Sequence, residues 1–217
     1  VAQLLILLPA WGYTKKEHIN LYKEIRHRRL CFGALLCLVG ITLLSMPLLS
    51  FLNLFSSLFV PNAAAGLAEQ MTGGPGWMNI LFLAVIPAFS EEFVFRGVFF
   101  HGYRSHGFWK AALMSGLVFG MFHLNINQFA YALVSGVIFA YMVEATGSIW
   151  SSVIAHFVVN SYSITINQIL KLSGLYSAVN DTATGTQDEL TSITMSSRLA
   201  GIFMMFVIGA VFMLLAV

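Results

Sequence analysis

The sequence predicts an all-α, polytopic bundle of membrane-crossing helices, and three observations carry that reading. Of the 217 residues 58% are hydrophobic and only 9% are charged, against about 25% charged in soluble domains. The apolar residues gather into runs near the roughly 20 residues that one helical crossing needs. The polar stretches between those runs alternate in charge, basic on one side and acidic or neutral on the other. Together they predict six to seven spans, six full ones and a partial first, in a single membrane-embedded domain over residues 1–217. A chain of this length makes one bundle rather than several domains.

Val1–Tyr13 is apolar and shorter than a crossing, so we read it as the end of a helix whose start lies outside the sequence. Thr14–Arg29 holds Lys15, Lys16, Lys23, Arg26, Arg28 and Arg29, more than half of the 11 Lys and Arg. A basic loop between apolar runs is a topology signal, which the positive-inside rule places in the cytoplasm. Nucleic acid, the other use of such a cluster, is set aside, and the expected surroundings are the bilayer. Leu30–Val60 carries no charge and is longer than one crossing, with Pro47 a candidate kink. Cys31 and Cys37 stand at i,i+6 and face different ways, so no internal disulfide is expected.

Pro61–Gly76 ends in Gly73-Gly-Pro-Gly76 and reads as a loop on the far side. Trp77–Tyr103 crosses back, with Pro87 one turn before Glu91, and Arg104, His106 and Lys110 mark its return. Phe108–Leu124 follows, then a polar turn over Asn125–Gln128, and then the apolar run Phe129–Val143, ending near Glu144 and Gly147. Ile149–Leu170 is the next span, Lys171–Ser197 an acidic outer loop, and Arg198–Val217 the last span.

The chemistry sits in Phe89-Ser-Glu-Glu-Phe-Val-Phe-Arg-Gly97, inside the Trp77–Tyr103 run. Each charge near the centre of a spanning helix costs roughly 2.5–3.5 kcal/mol on the insertion scale, so ionisable residues there are functional candidates. Glu92 and Arg96 stand at i,i+4 and can neutralise each other. Glu91 lies about 100° round the helix and has no local partner. Two further polar insertions occur at helical spacing: Phe119-Gly-Met-Phe-His123, and His156-Phe-Val-Val-Asn160, whose His and Asn share a face.

A single membrane histidine is most often an interhelical hydrogen-bonder, whereas a Glu pair, an Arg, two His and an Asn on three helices can meet only inside the bundle. Carboxylate and imidazole can take a proton from water, and imidazole and amide N–H groups can donate to an oxyanion. Gly-x-Ser-x-Gly and His-Glu-x-x-His are both absent, which argues against the usual serine and zinc routes.

In that order on successive helices, Glu91-Glu92-x-x-x-Arg96, Phe119-x-x-x-His123 and His156-x-x-x-Asn160 resemble the CPBP family of intramembrane proteases, which holds the Rce1-type CAAX endopeptidases and the bacterial bacteriocin-processing Abi proteins. Phe95-Arg-Gly97 and Gly147-Ser-Ile-Trp-Ser151 fit as well, and the resemblance covers about Trp77 to Tyr162. It implies a glutamate-dependent endopeptidase with no required metal or other cofactor, acting on a membrane-associated peptide or protein. Glu91 and His123 would activate the water, His156 and Asn160 would form the oxyanion site, and Glu92 with Arg96 would support them. Val1–Gly76 carries no part of the resemblance and says nothing of substrate recognition. The minimal core favours a bacterial cell-membrane protein in peptide maturation, bacteriocin processing or self-immunity, with CAAX-type processing the other role.

Two readings from other classes stand beside it. Two Glu and two His could instead hold Zn²⁺ in a metal-dependent membrane hydrolase, and a non-catalytic scaffold or regulator could share the fold. Glu144 reads as interfacial, His101 and His106 as solvated, and Phe93, Phe95, Phe99 and Phe100 as packing or lipid-facing residues.

Overall fold

The structure is a computed structural model, and it describes residues 2–19, 25, 27–60 and 75–172. Six helices carry the described chain: α1 (Ala2–Lys16), α2 (Phe32–Ser57), α3 (Gly76–His106), α4 (Phe108–Phe122), α5 (Ile126–Thr146) and α6 (Ile149–Leu172). Helices α2, α3, α5 and the Ile149–Ile166 part of α6 are long and apolar enough to cross a membrane. Helix α4 is apolar but has only 15 residues, so the expected third full span is a short one. Most of the expected Pro61–Gly76 loop, most of the expected Lys171–Ser197 loop and the last span, Arg198–Val217, lie outside the described residues.

Local chemistry moves several expected boundaries. Helix α1 continues past Thr14 to Lys16, because the Thr14 hydroxyl donates to Trp11 O (2.9 Å) and the two lysines sit where a helix end favours cations. The polar turn at 125–128 shrinks because Asn125 is an N-cap, its side chain accepting from the Asn127 N–H at 3.0 Å. Asn127, fully buried, then donates to Asn53 O and ties α5 to α2. Helix α2 runs through Pro47 without a break.

Helix α3 touches α1, α4 and α6, while α5 touches α2, α4 and α6. The tightest seam is α4 against α5, where small residues let the backbones meet. A Cβ on Gly116 would stand 2.8 Å from Leu133 O, and one on Gly136 would stand 2.7 Å from Gly116 Cα and 3.1 Å from Arg96 Nη2. Phe95 and Phe100 are core residues rather than lipid-facing ones, 2% and 3% exposed.

One end of the bundle gathers the basic segment and two turns. Arg104 pairs with Glu144, so Glu144 is a partnered residue rather than a bare interfacial one. His27 bridges to Ser148, and Arg28 N–H donates to Gly147 O at 3.3 Å. Gly147 closes α5 in the left-handed region (φ 65°), which only glycine adopts at little cost. Ile25 inserts from the same segment onto Gly97, where an added Cβ would meet its Cδ1 at 2.9 Å.

The seam sets a stability prediction. Gly136→Ala lowers thermal stability in detergent by about 1–3 kcal/mol through overpacking, whereas Gly40→Ala, with nothing within 4 Å of its new Cβ, leaves it level or higher. Equal melting of both variants would refute the close α4–α5 approach.

Candidate active site

The site is built on α3, whose backbone is irregular on both sides of the glutamates. The regular segment Ile86–Glu92 lies between two π-type stretches, Leu81–Val85 and Phe93–Phe100, with i→i+5 hydrogen bonding. Such wide turns are rare and recur at functional sites. They loosen the backbone ladder, and neighbouring helices supply donors from the side. Ser115 of α4 donates to Phe95 O at 2.8 Å. Pro87 has no N–H for the carbonyl four residues back, and that carbonyl, Leu83 O, accepts from Asn160 Nδ2 of α6 at 3.2 Å.

At the centre one carboxylate oxygen serves two donors. Glu92 Oε1 accepts from Arg96 Nη1 at 2.7 Å and from His156 Nδ1 at 2.8 Å, with Glu92 fully buried, Arg96 2% exposed and His156 4% exposed. A carboxylate accepts, so the proton of this pair sits on His156 Nδ1. The guanidinium lies over the ring of Phe119 (4.5 Å) and that of Phe139 (5.2 Å), so aromatic faces take the place of further hydrogen bonds. Phe139 also stacks on the His156 ring at 5.4 Å.

With Nδ1 fixed, His156 Nε2 faces Glu91 Oε2 at 3.9 Å. That is beyond direct hydrogen bonding and within the span of one bridging water. Glu91 is buried, and its partner is on another helix: Gln3 Nε2 of α1 donates to Oε1 at 3.2 Å. His123 ends α4 beside the same cluster. Its Nδ1 donates to Phe119 O at 2.9 Å, which leaves Nε2 as an acceptor. The edge-on ring of Phe119 stands 4.9 Å from the His123 ring and 5.6 Å from that of His156.

Helices α3 and α6 thus bring Glu91, Glu92, Arg96 and His156 together, while His123 of α4 is connected to them through the Phe119 ring and Asn160 reaches α3 at Leu83 O. Their pairings are finer than the motifs suggest. His156 is held by Glu92 as well as facing Glu91, and one N–H of Asn160 repairs α3. Gln3 escaped the sequence reading, and its one signal is a side-chain amide within an apolar run. Among the described residues, no three His, Cys, Asp or Glu side chains are grouped so that they could hold a metal ion.

Three comparisons bear on this arrangement. Residues 73–162 match the family model described as Type II CAAX prenyl endopeptidase Rce1-like. Over those residues the chain is similar to that family. The matched segment holds Glu91, Glu92, Arg96, His123, His156 and Asn160 and leaves out α1 and α2. A Bacillus subtilis (strain 168) protein named "Putative membrane peptidase YdiL" is 27% identical over 88 residues, which are 40% of this chain and 36% of that relative. The chain therefore spans little more than a third of the curated relative it matches. No solved structure matches the chain.

The repair of α3 gives a prediction in two halves. Asn160→Ala lowers stability by about 1–3 kcal/mol, because Leu83 O loses its Asn160 donor. Pro87→Ala restores an N–H for that carbonyl, so the same Asn160→Ala change costs clearly less in the Pro87→Ala background. Strict additivity in unfolding measurements would disprove the link. Arg96→Met, which strands Glu92 inside the bundle, costs about 3–5 kcal/mol in the same assay.

Proposed function

We propose that this protein is an intramembrane endopeptidase that hydrolyses a peptide bond in a membrane-associated peptide or protein, with water activated by Glu91 and no metal. The observation that carries the reading is the Glu92–His156–Glu91 line, in which one buried carboxylate orients an imidazole towards a second carboxylate across 3.9 Å. An acid–imidazole pair that fixes the tautomer is the positioning half of hydrolytic catalysis, and the remaining gap suits a water. The Rce1-like match and the peptidase name of the B. subtilis relative agree with it.

In this mechanism Glu91 Oε2 takes a proton as the water oxygen attacks the scissile carbonyl carbon, with His123 Nε2 as the second acceptor. The new C–O bond sends the carbonyl electron pair onto oxygen. His156 Nε2, when protonated, and the second N–H of Asn160 donate to that oxyanion. Collapse of the intermediate breaks the C–N bond, and Glu91 returns its proton to the leaving amine. Glu92 and Arg96 stay ionised throughout and hold His156.

A cavity of about 840 Å³ runs between α1, α3 and α4, lined by Ile6, Ala10, Val94, Val98, Phe99 and Phe122. It begins one turn from Glu91, and its apolar wall suits an apolar segment or chain on the substrate. This favours CAAX-type processing, as in the family's description, among the roles a membrane peptidase could take. The end carrying Arg28, Arg104 and Lys110 faces the cytoplasm by the positive-inside rule.

The test compares new peptide termini in membranes from cells expressing the wild type or Glu91→Gln, each with and without a chelator. Termini that vanish with Glu91→Gln and persist with the chelator are expected. Loss with both favours the zinc hydrolase, and no difference between folded proteins favours a scaffold. Purified protein should also cut a quenched fluorescent peptide bearing a farnesylated cysteine, and His123→Ala and His156→Gln should each slow it by about 10²–10⁴-fold.

A further inference from the structure

We infer that Gln3 of α1 is a positioning residue for Glu91, fixing one carboxylate oxygen so that the other acts as the base. This rests on the reading of Glu91 as the base. It goes beyond the family match, which begins at residue 73 and leaves α1 out.

Chemistry alone orients the Gln3 amide. Its nitrogen lies 3.2 Å from Glu91 Oε1, and its oxygen lies 2.5 Å from Ser90 Oγ. An ionised carboxylate can only accept, so the N–H₂ group must face Glu91 and the amide oxygen must face the Ser90 hydroxyl. Ser90 and Glu91 are consecutive on α3 and 7% and 6% exposed, so a single glutamine from another helix spans two buried polar neighbours. Ser90 Oγ also lies 2.8 Å from Ile86 O in its own helix, so its single proton has two acceptors within reach.

The two oxygens of Glu91 therefore differ. Oε1 is occupied by Gln3, and Oε2 faces His156 Nε2 at 3.9 Å. A carboxyl group on a long side chain can rotate about its last torsion and present either oxygen. The donor on Oε1 removes that freedom and directs the basic lone pair of Oε2 into the gap beside His156. Helix α1 is held in place for this role by Ile6, which packs in one buried cluster with Val94, Phe95 and Phe119.

The experiment uses the whole protein in detergent with the farnesylated quenched peptide, and reads kcat and KM separately. Gln3→Met is expected to lower kcat about tenfold with KM unchanged, and Ser90→Ala to lower it less. The Glu91 carboxylate infrared band, identified by its loss in Glu91→Gln, should shift in Gln3→Met. A Leu5→Ala control, altered on the same helix, should leave it in place. Should Gln3→Met fail to fold, Gln3→Ala also removes the donor and is expected to lose kcat to at least the same extent. Unchanged kcat and an unmoved band overturn the inference, as does a rise in KM alone, which would make Gln3 a substrate contact. A band shift in a protein whose wild type cuts no peptide would overturn the peptidase reading while leaving the Gln3–Glu91 bond established.

Discussion

The arrangement depends on one atom, Glu92 Oε1, which accepts from Arg96 at 2.7 Å and from His156 at 2.8 Å while fully buried. A lone carboxylate in a dry interior is strongly unfavourable, and a buried pair is tolerated only where its geometry is good. Arg96 provides the counter-charge from one turn along the same helix, so the ion pair is nearly complete before any neighbour arrives. What α6 adds is His156. The packing around it follows: Phe119 and Phe139 face the guanidinium, and Gly136 leaves the space beside Nη2. The glycine seam between α4 and α5 is therefore part of the site as much as of the fold.

Irregularity in α3 is the second element. A helix with Pro87 and two π-type stretches has carbonyls that its own backbone serves poorly. Here they are met from the side, Leu83 O by Asn160 and Phe95 O by Ser115. These bonds index α6 and α4 against α3 at defined heights, which is what brings His156 level with the glutamates. One residue, Asn160, thus has one N–H in the scaffold, and the proposed mechanism uses the other.

The Glu92–Arg96 pair was legible in the sequence because both partners lie on one helix at i,i+4, where geometry needs no tertiary information. His123, His156 and Asn160 were legible as polar insertions in apolar helices, and their motifs carried the resemblance that the match over residues 73–162 agrees with. What each one touches was not legible. Pro87 and Asn160 could each be recognised as unusual, yet their connection runs through the Leu83–Asn160 bond, between residues 77 apart. Gln3 was hidden for the same reason, inside a run that resembled only the remainder of a span. Helix boundaries shifted where Thr14 and Asn125 used their side chains on backbone groups, since either residue is equally at home in a turn.

The Leu83–Asn160 bond also bears on how such a protein enters the bilayer. Helix α3 emerges from the ribosome with Glu91, Glu92 and Arg96 near its middle and a carbonyl that its own proline leaves unserved. Its neutralising arginine travels with it, but the amide that repairs its backbone and the imidazole that completes its carboxylate are both on α6, synthesised some seventy residues later. Alone in lipid, α3 would be a poor occupant. Such a chain is suited to leaving the insertion machinery as a group, with α3 retained at a protein or water boundary until α6 arrives. The candidate site and this joint release would then have a common origin in the same few polar contacts.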